Sequence, residues 1–360
     1  MSQKEKKRKR VKLSIFLSLS ISIGFIGIIL YFTIDATTIE FLSTAKINYW
    51  YFFAAILVSF LFWILWGLRL QILSNAIDPN VHITLWESTK IVLANLFLAN
   101  ITPSMAGGEP VRIYLLSKDG LNVGGATAAV LGERILDALF LLICVPFAFF
   151  IFGRYLTSGY LQAGLCVAVV VFILVLIIFI YAIKKPEKTK RVLLKITKKF
   201  RRILKKDTPQ KIMKRISKEI DNFHETMIFF MTKGKKTFLL AGVVTILFWV
   251  TGWLIPILLL LSLGLEPFIL ASTAAQVLLV IIAMMPTTPG STGVSEGGVA
   301  ALYGVFIGSS LLGVFVLLFR FVTYHLGLIV GAIFQYRIFK SITTFTFDKI
   351  SEEKTLEQSE

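Results

Sequence analysis

Seven stretches of this chain are apolar over lengths that suit a membrane crossing: 13–32, 50–68, 135–152, 160–183, 238–263, 268–285 and 311–335. A helix needs roughly 18–20 such residues to cross the hydrocarbon of a bilayer. Inside that hydrocarbon every backbone N–H and C=O must be paired within the segment, which leaves helices or closed barrels. Runs this long and this unbroken select helices. Composition agrees, with 56% hydrophobic residues, 31 phenylalanines and a mean hydropathy of +0.78. Charged residues make up 16%, against about 25% in soluble domains. The reading is an all-α integral membrane protein, a polytopic helix bundle.

The formal charge of +17 sits in two places. Residues 1–12 hold seven Lys/Arg and one acidic residue, and 184–236 hold 19 Lys/Arg and five acidic residues. The loops 33–49, 153–159 and 264–267 carry almost no positive charge. That asymmetry is the positive-inside pattern, so the N-terminus and the 184–236 loop of a multi-pass cell-membrane protein are expected in the cytoplasm. Anionic lipid head groups are the natural partner of the basic loop. Nucleic acid is not expected, because no aromatic interleaving or binding motif accompanies the charge. The first apolar run is too long for a signal-peptide core and lacks a small-x-small cleavage site, so it reads as a retained span. The expected organisation is a basic N-terminus (1–12), a first membrane half (13–183), the basic loop (184–236), a second membrane half (237–340) and an acidic tail (341–360).

Parity of crossings then shapes both halves. If 50–68 returns to the inside and 135–152 leaves it, the segment 84–125 begins and ends inside. Its first part, TLWESTKIVLANLFLANI, can enter the membrane as a helix. Its second part, TPSMAGGEPVRIYLLSKDGLNVGG, is too interrupted to cross back. A re-entrant hairpin fits, and a surface-lying amphipathic pair is the alternative. The stretch 268–308 begins and ends outside, with MPTTPGSTGVSEGG (285–298) at its turn. Parity leaves open whether that turn stops in mid-membrane or reaches the cytoplasm. The expected total is about six full spans plus two Gly/Pro-interrupted re-entrant hairpins.

Sliding the chain against itself by 186 residues aligns Leu61-Phe62-Trp63 with Leu247-Phe248-Trp249. The same shift aligns Thr102-Pro103 with Thr288-Pro289, Gly107 with Gly293, and Arg134 with Arg320. Because 50–68 and 238–263 run in opposite directions, the repeat is expected to be inverted. Inverted repeats whose matched helices are broken by Gly and Pro point to a transporter's central site. Broken backbone survives in a membrane only where protein or a wet cavity receives it. Ser295 reads as an N-cap with Glu296 in the first turn, and Pro110 beside Glu109 as a helix start. Such N-termini direct N–H groups at an anion.

The expected substrate-binding set is Glu109, Arg112, Arg134, Asp137, Glu296 and Arg320, with Gly107, Gly108, Gly293 and Gly297 supplying backbone N–H groups and a tight turn. Intramembrane charge is expensive and marks a pathway or an internal pair. Arg112 follows Glu109 by three residues and Asp137 follows Glu133 by four, so each pair can share a helix face. Arginine holds a phosphodiester through paired, charge-assisted hydrogen bonds. A side chain at Gly293 or Gly297 is expected to crowd the turn. Asn95 and Asn100 read as helix-to-helix hydrogen bonders, and Trp63, Trp66, Trp249 and Trp253 as packing or interface anchors. Cys144, Cys166 and the three isolated histidines give no disulfide, metal or redox spacing, so no cofactor, metal or catalytic residue is expected.

The runs NITPSMAGGEPVRIYLL, GERILDALF and PTTPGSTGVSEGGVAALYG resemble the lysylphosphatidylglycerol synthetase transmembrane region, the flippase-like domain family, over roughly 13–340. The resemblance implies a membrane phospholipid or lipid-linked substrate moved between leaflets. After residue 340 only a short acidic segment follows, so aminoacyl transfer by this chain is not expected. A translocase holding an anionic head group in a central polar cavity is the favoured reading. An accessory or catalytic subunit of a glycosyl- or aminoacyl-lipid transferase is the alternative, and a homo-oligomer stays open.

Overall fold

The computed structural model describes residues 47–101, 108–153, 209–283, 291 and 293–334, with isolated positions between 163 and 188. The expected span 13–32, most of 160–183, Gly107, Thr102-Pro103 and Thr288-Pro289 lie outside the described residues. The described backbone is helical. Its helices are α1 (Tyr49–Ile77), α2 (Leu85–Ile101), α3 (Gly108–Lys118), α4 (Val123–Phe152), α5 (Pro209–Met231), α6 (Lys235–Ser262), α7 (Ile269–Ala283), α8 (Val294–Tyr303) and α9 (Ser309–Phe334). Among the described residues α1, α4, α6 and α9 are long and apolar enough to cross a bilayer.

Local chemistry sets several of the starts. Asn48 opens α1 by accepting a hydrogen bond from Trp50 N (3.1 Å), and Asn122 opens α4 by accepting one from Gly125 N (2.7 Å). Thr84 and Glu87 close a reciprocal cap on α2: Glu87 Oε2 accepts from Thr84 N (2.8 Å), and Thr84 Oγ1 accepts from Glu87 N (3.3 Å). Such caps satisfy N–H groups that the first turn leaves without helical partners. The outer faces carry Trp50, Phe53, Leu57, Leu239, Leu240, Ile143 and Phe150, each more than half exposed. In water so much exposed apolar surface would drive aggregation; in lipid it is the solvated face.

α1 and α6 pack antiparallel along much of their length. Asn48 N donates to Ser262 O at 3.0 Å at one end, and the rings of Phe62 and Phe248 stack at 4.1 Å near the middle. Two apolar cores flank this pair. One gathers Leu70, Leu73, Ile91, Leu116, Val130 and Phe230 from α1–α5, and the other gathers Leu141, Leu259, Leu278, Leu302 and Phe315 from α4 and α6–α9. The small-residue run Gly124, Gly125, Ala126, Ala128, Ala129 and Gly132 is buried at the start of α4, and lets helix backbones approach closely. The amphipathic α5 buries Met227 and Phe230 against α4. Its side chains Asn222, Glu225, Thr226 and Phe229 meet Ile77 and Asn122 at the end of α1 and start of α4. The end of α1, the start of α4 and the described part of the basic loop thus gather at one end of the bundle.

Candidate functional site

α1 continues well past residue 68, the end expected from its hydropathy, and so carries Arg69 into the bundle interior. Sequence reasoning missed this residue, because the apolar run stops where the charge begins. Arg69 is the hub of a buried network. Its Nε donates to Glu133 Oε1 (3.0 Å), and its Nη1 and Nη2 donate to Asp137 Oδ1 (2.5 Å) and Oδ2 (3.3 Å). Glu133 and Asp137 do lie on one face of α4, and the cation spanning them comes from α1. From α6, Thr245 Oγ1 accepts a hydrogen bond from Arg69 Nη1 (3.3 Å), and Trp249 Nε1 donates to Asp137 Oδ1 (2.9 Å). Phe248 lies under the Arg69 guanidinium at 4.7 Å.

Arg112 is fully buried and ion-pairs with Glu133, not with Glu109 three residues before it. Glu109 instead receives Arg134 Nε at 2.7 Å, and Arg134 also approaches Asp137 at 3.6 Å. A helix neighbour is within reach only when both side chains point the same way, and burial turns Arg112 inward while Glu109 and Arg134 stay partly open, at 35% and 38%. Trp66 faces the Arg112 guanidinium at 5.2 Å. Trp66 and Trp249 pack against the apolar cores, as expected, and in addition border the polar network, Trp66 through its ring and Trp249 through its N–H. Nε and Nη1 of Arg112 are buried without a hydrogen-bond partner among the described residues.

The second cluster lies on α8 and α9. Arg320 Nε donates to Glu296 Oε1 at 2.9 Å, with both side chains buried, and Arg320 stacks over Tyr324 at 4.2 Å. Arg320 Nη2 is buried without a partner among the described residues. Gly293, not Ser295, precedes the first residue of α8, at φ +84°, a conformation that suits glycine. Its N–H donates to Glu296 Oε2 at 2.6 Å, and Gly297 N donates to Gly293 O at 2.9 Å. The α8 N-terminus is thus closed by its own carboxylate, and those two N–H groups already have protein acceptors. A Cβ at Gly297 would meet nothing within 4 Å, so the expected crowding falls instead on Gly298, whose Cβ would lie 2.9 Å from Leu279. Gly108 begins the described part of α3, and Asn95 stands where its Cβ would be. Asn100 does bridge helices, donating from Nδ2 to Tyr324 O at 3.4 Å. Among the described residues no group of three or more His, Cys, Asp or Glu could hold a metal ion.

The sequence matches the Lysylphosphatidylglycerol synthase TM region over residues 15–331. The chain belongs to that family. It is similar to a UPF0104 membrane protein of Archaeoglobus fulgidus, 34% identical over 304 residues, covering 82% of this chain and 89% of that one. A UPF0104 membrane protein of Methanocaldococcus jannaschii is 30% identical over 290 residues, covering 78% and 82%. One from Pyrococcus horikoshii is 24% identical over 303 residues, covering 82% and 89%. No solved structure matches the chain.

Proposed function

We propose that this membrane protein moves a phospholipid or lipid-linked substrate between leaflets, holding its anionic head group at Arg112 and Arg320 between two inverted halves. The observation that carries the reading is a pair of buried arginines that each keep guanidinium N–H groups without a hydrogen-bond partner among the described residues. A buried donor without a partner costs about 1–3 kcal/mol, more for a charged group, and is retained where something it binds compensates. A phosphodiester matches those free N–H groups by charge-assisted hydrogen bonds.

The repeat has structural support. α1 and α6 begin at Tyr49 and Lys235, α3 and α8 at Gly108 and Val294, and α4 and α9 at Val123 and Ser309. Each start is separated from its counterpart by the offset that aligns the two sequences. Arg134 and its counterpart Arg320 each pair through Nε with a carboxylate near the start of the preceding short helix, Glu109 and Glu296, although the two carboxylates stand one residue out of the repeat register. Phe62 stacks on its own counterpart Phe248 in an antiparallel helix pair, as happens where a two-fold axis passes between equivalent elements. The 15 residues of α7 reach about 22 Å at ~1.5 Å per residue, short of the ~30 Å hydrocarbon, which suits a re-entrant helix.

The test is leaflet exchange of fluorescent phosphatidylglycerol in proteoliposomes. Arg112→Gln and Arg320→Gln are expected to lower the rate about tenfold or more, the consequence of losing one charge-assisted contact of ~1.5–3 kcal/mol. Lys205→Gln in the basic loop should leave it unchanged. Wild-type rates in both arginine variants would remove the head-group assignment and favour the transferase-subunit reading.

A further inference from the structure

Residues 321–325, FVTYH, form a π-turn inside α9 directly after Arg320. Such turns interrupt regular helical bonding and are frequent at functional sites. This one brings His325 Nδ1 to 3.1 Å from the carbonyl oxygen of Arg320. A carbonyl oxygen can only accept, so Nδ1 carries the hydrogen and the neutral ring presents Nε2 as a lone pair. Nε2 is buried and has no hydrogen-bond partner among the described residues. In sequence this histidine is isolated, yet the fold leaves its Nε2 placed to accept a proton.

The surrounding charge gives that proton a purpose. α8 faces His325 with Glu296, and α9 itself with Arg320. From α2 the Asn100 amide meets the turn at Tyr324 O, and from α1 the apolar ring of Phe52 lies 6.2 Å from Phe321. Glu296 neutralises Arg320. In the other cluster Arg69, Arg112 and Arg134 stand against Glu109, Glu133 and Asp137, and their charges also cancel. A buried cluster with no net charge offers an anion hydrogen bonds but no net Coulombic attraction, and taking an ion out of water is expensive.

We infer that His325 is a proton site whose occupancy supplies the missing charge, so that an anionic head group and a proton bind together at the Arg320 cluster. The proton comes from hydronium in the bulk solvent: an O–H bond breaks, water is left, and an N–H bond forms at the Nε2 lone pair, with no bond in the protein broken. Arg320, the imidazolium and Glu296 then sum to one positive charge, which one phosphodiester cancels. Linkage makes the effect reciprocal: acid tightens the anion, and the anion tightens the proton. Release of both on the opposite side would tie lipid movement to a proton gradient. The inference rests on the head-group reading above and adds its co-substrate.

The experiment is binding of short-chain phosphatidylglycerol to the full chain in phosphatidylcholine nanodiscs. It is run at about pH 5.5 and about pH 8, either side of the ordinary imidazole value near 6.5. Wild type is expected to bind about tenfold more tightly in acid, within the range usual for coupled sites. His325→Gln, which cannot take the proton, should bind weakly and equally at both values, and His325→Lys should bind tightly at both. Wild-type binding that ignores pH, or a His325→Gln protein that keeps the pH dependence, overturns the inference and leaves the head-group reading standing. Absence of phosphatidylglycerol binding by wild type at either value overturns the head-group reading, and this inference with it.

Discussion

Two arginines of similar chemistry carry very different burdens here. Arg69 is 1% exposed and holds Glu133 and Asp137 at once, whereas Arg134 is 38% exposed and holds a Glu109 that is itself partly open. Removing Arg69 leaves two buried carboxylates short of their shared cation. Breaking a buried pair in this way costs about 3–5 kcal/mol, while an exposed pair contributes about 0–1 kcal/mol. Arg69→Ala is therefore expected to lower the melting temperature and the monodisperse yield in detergent sharply, and Arg134→Ala to change both little. Equal losses in the two variants, followed by fluorescence-detected gel filtration on heating, would show that burial does not rank these contacts. Thr245 and Trp249 give the same network a second anchor on α6, so it joins the two halves as well as stabilising one.

At the scale of the element, hydropathy makes the long helices readable because a membrane span satisfies its own backbone and announces itself by length alone. The ends are less readable. α1 outruns its apolar run because Arg69 is paid for by α4, a partner more than sixty residues away in sequence. The π-turn at 321–325 leaves no mark in composition or spacing, and the cap on α8 depends on a glycine at positive φ that sequence cannot distinguish from its neighbours. Glycines were readable as a class but not one by one. A Cβ on Gly67 would stand 2.9 Å from the Thr89 backbone, and one on Gly331 would stand 2.7 Å from Phe97 N, both rigid neighbours. Overpacking of this kind costs ~1–3 kcal/mol, so Gly67→Ala and Gly331→Ala should reduce folded yield. Gly297→Ala, with open space around it, should fold as wild type. A thermal-stability series over the three variants checks the order.

For the whole molecule, the charge pattern and the packing make one joint statement about sides. The end of α1, the start of α4 and α5 of the basic loop meet around Ile77, Asn122 and Glu225. The start of α1 and the end of α6 meet at the other end, through Asn48 and Ser262. Positive charge crowds the first end and is nearly absent from the second, so the first is expected to face the cytoplasm. In a Cys144→Ser, Cys166→Ser background, single cysteines at the exposed positions Asn80 and Lys218 should be shielded from an impermeant maleimide in intact cells and react after lysis. A cysteine at the exposed Gly264 should react in intact cells. The two outcomes are tied, because α1 and α6 are antiparallel and cannot both present the same kind of end to one side. Labelling of positions 218 and 264 from the same side would break the topology, and with it the inverted relation of the halves. The arginine clusters would then belong to two parallel units, with no shared cavity to present to both leaflets in turn.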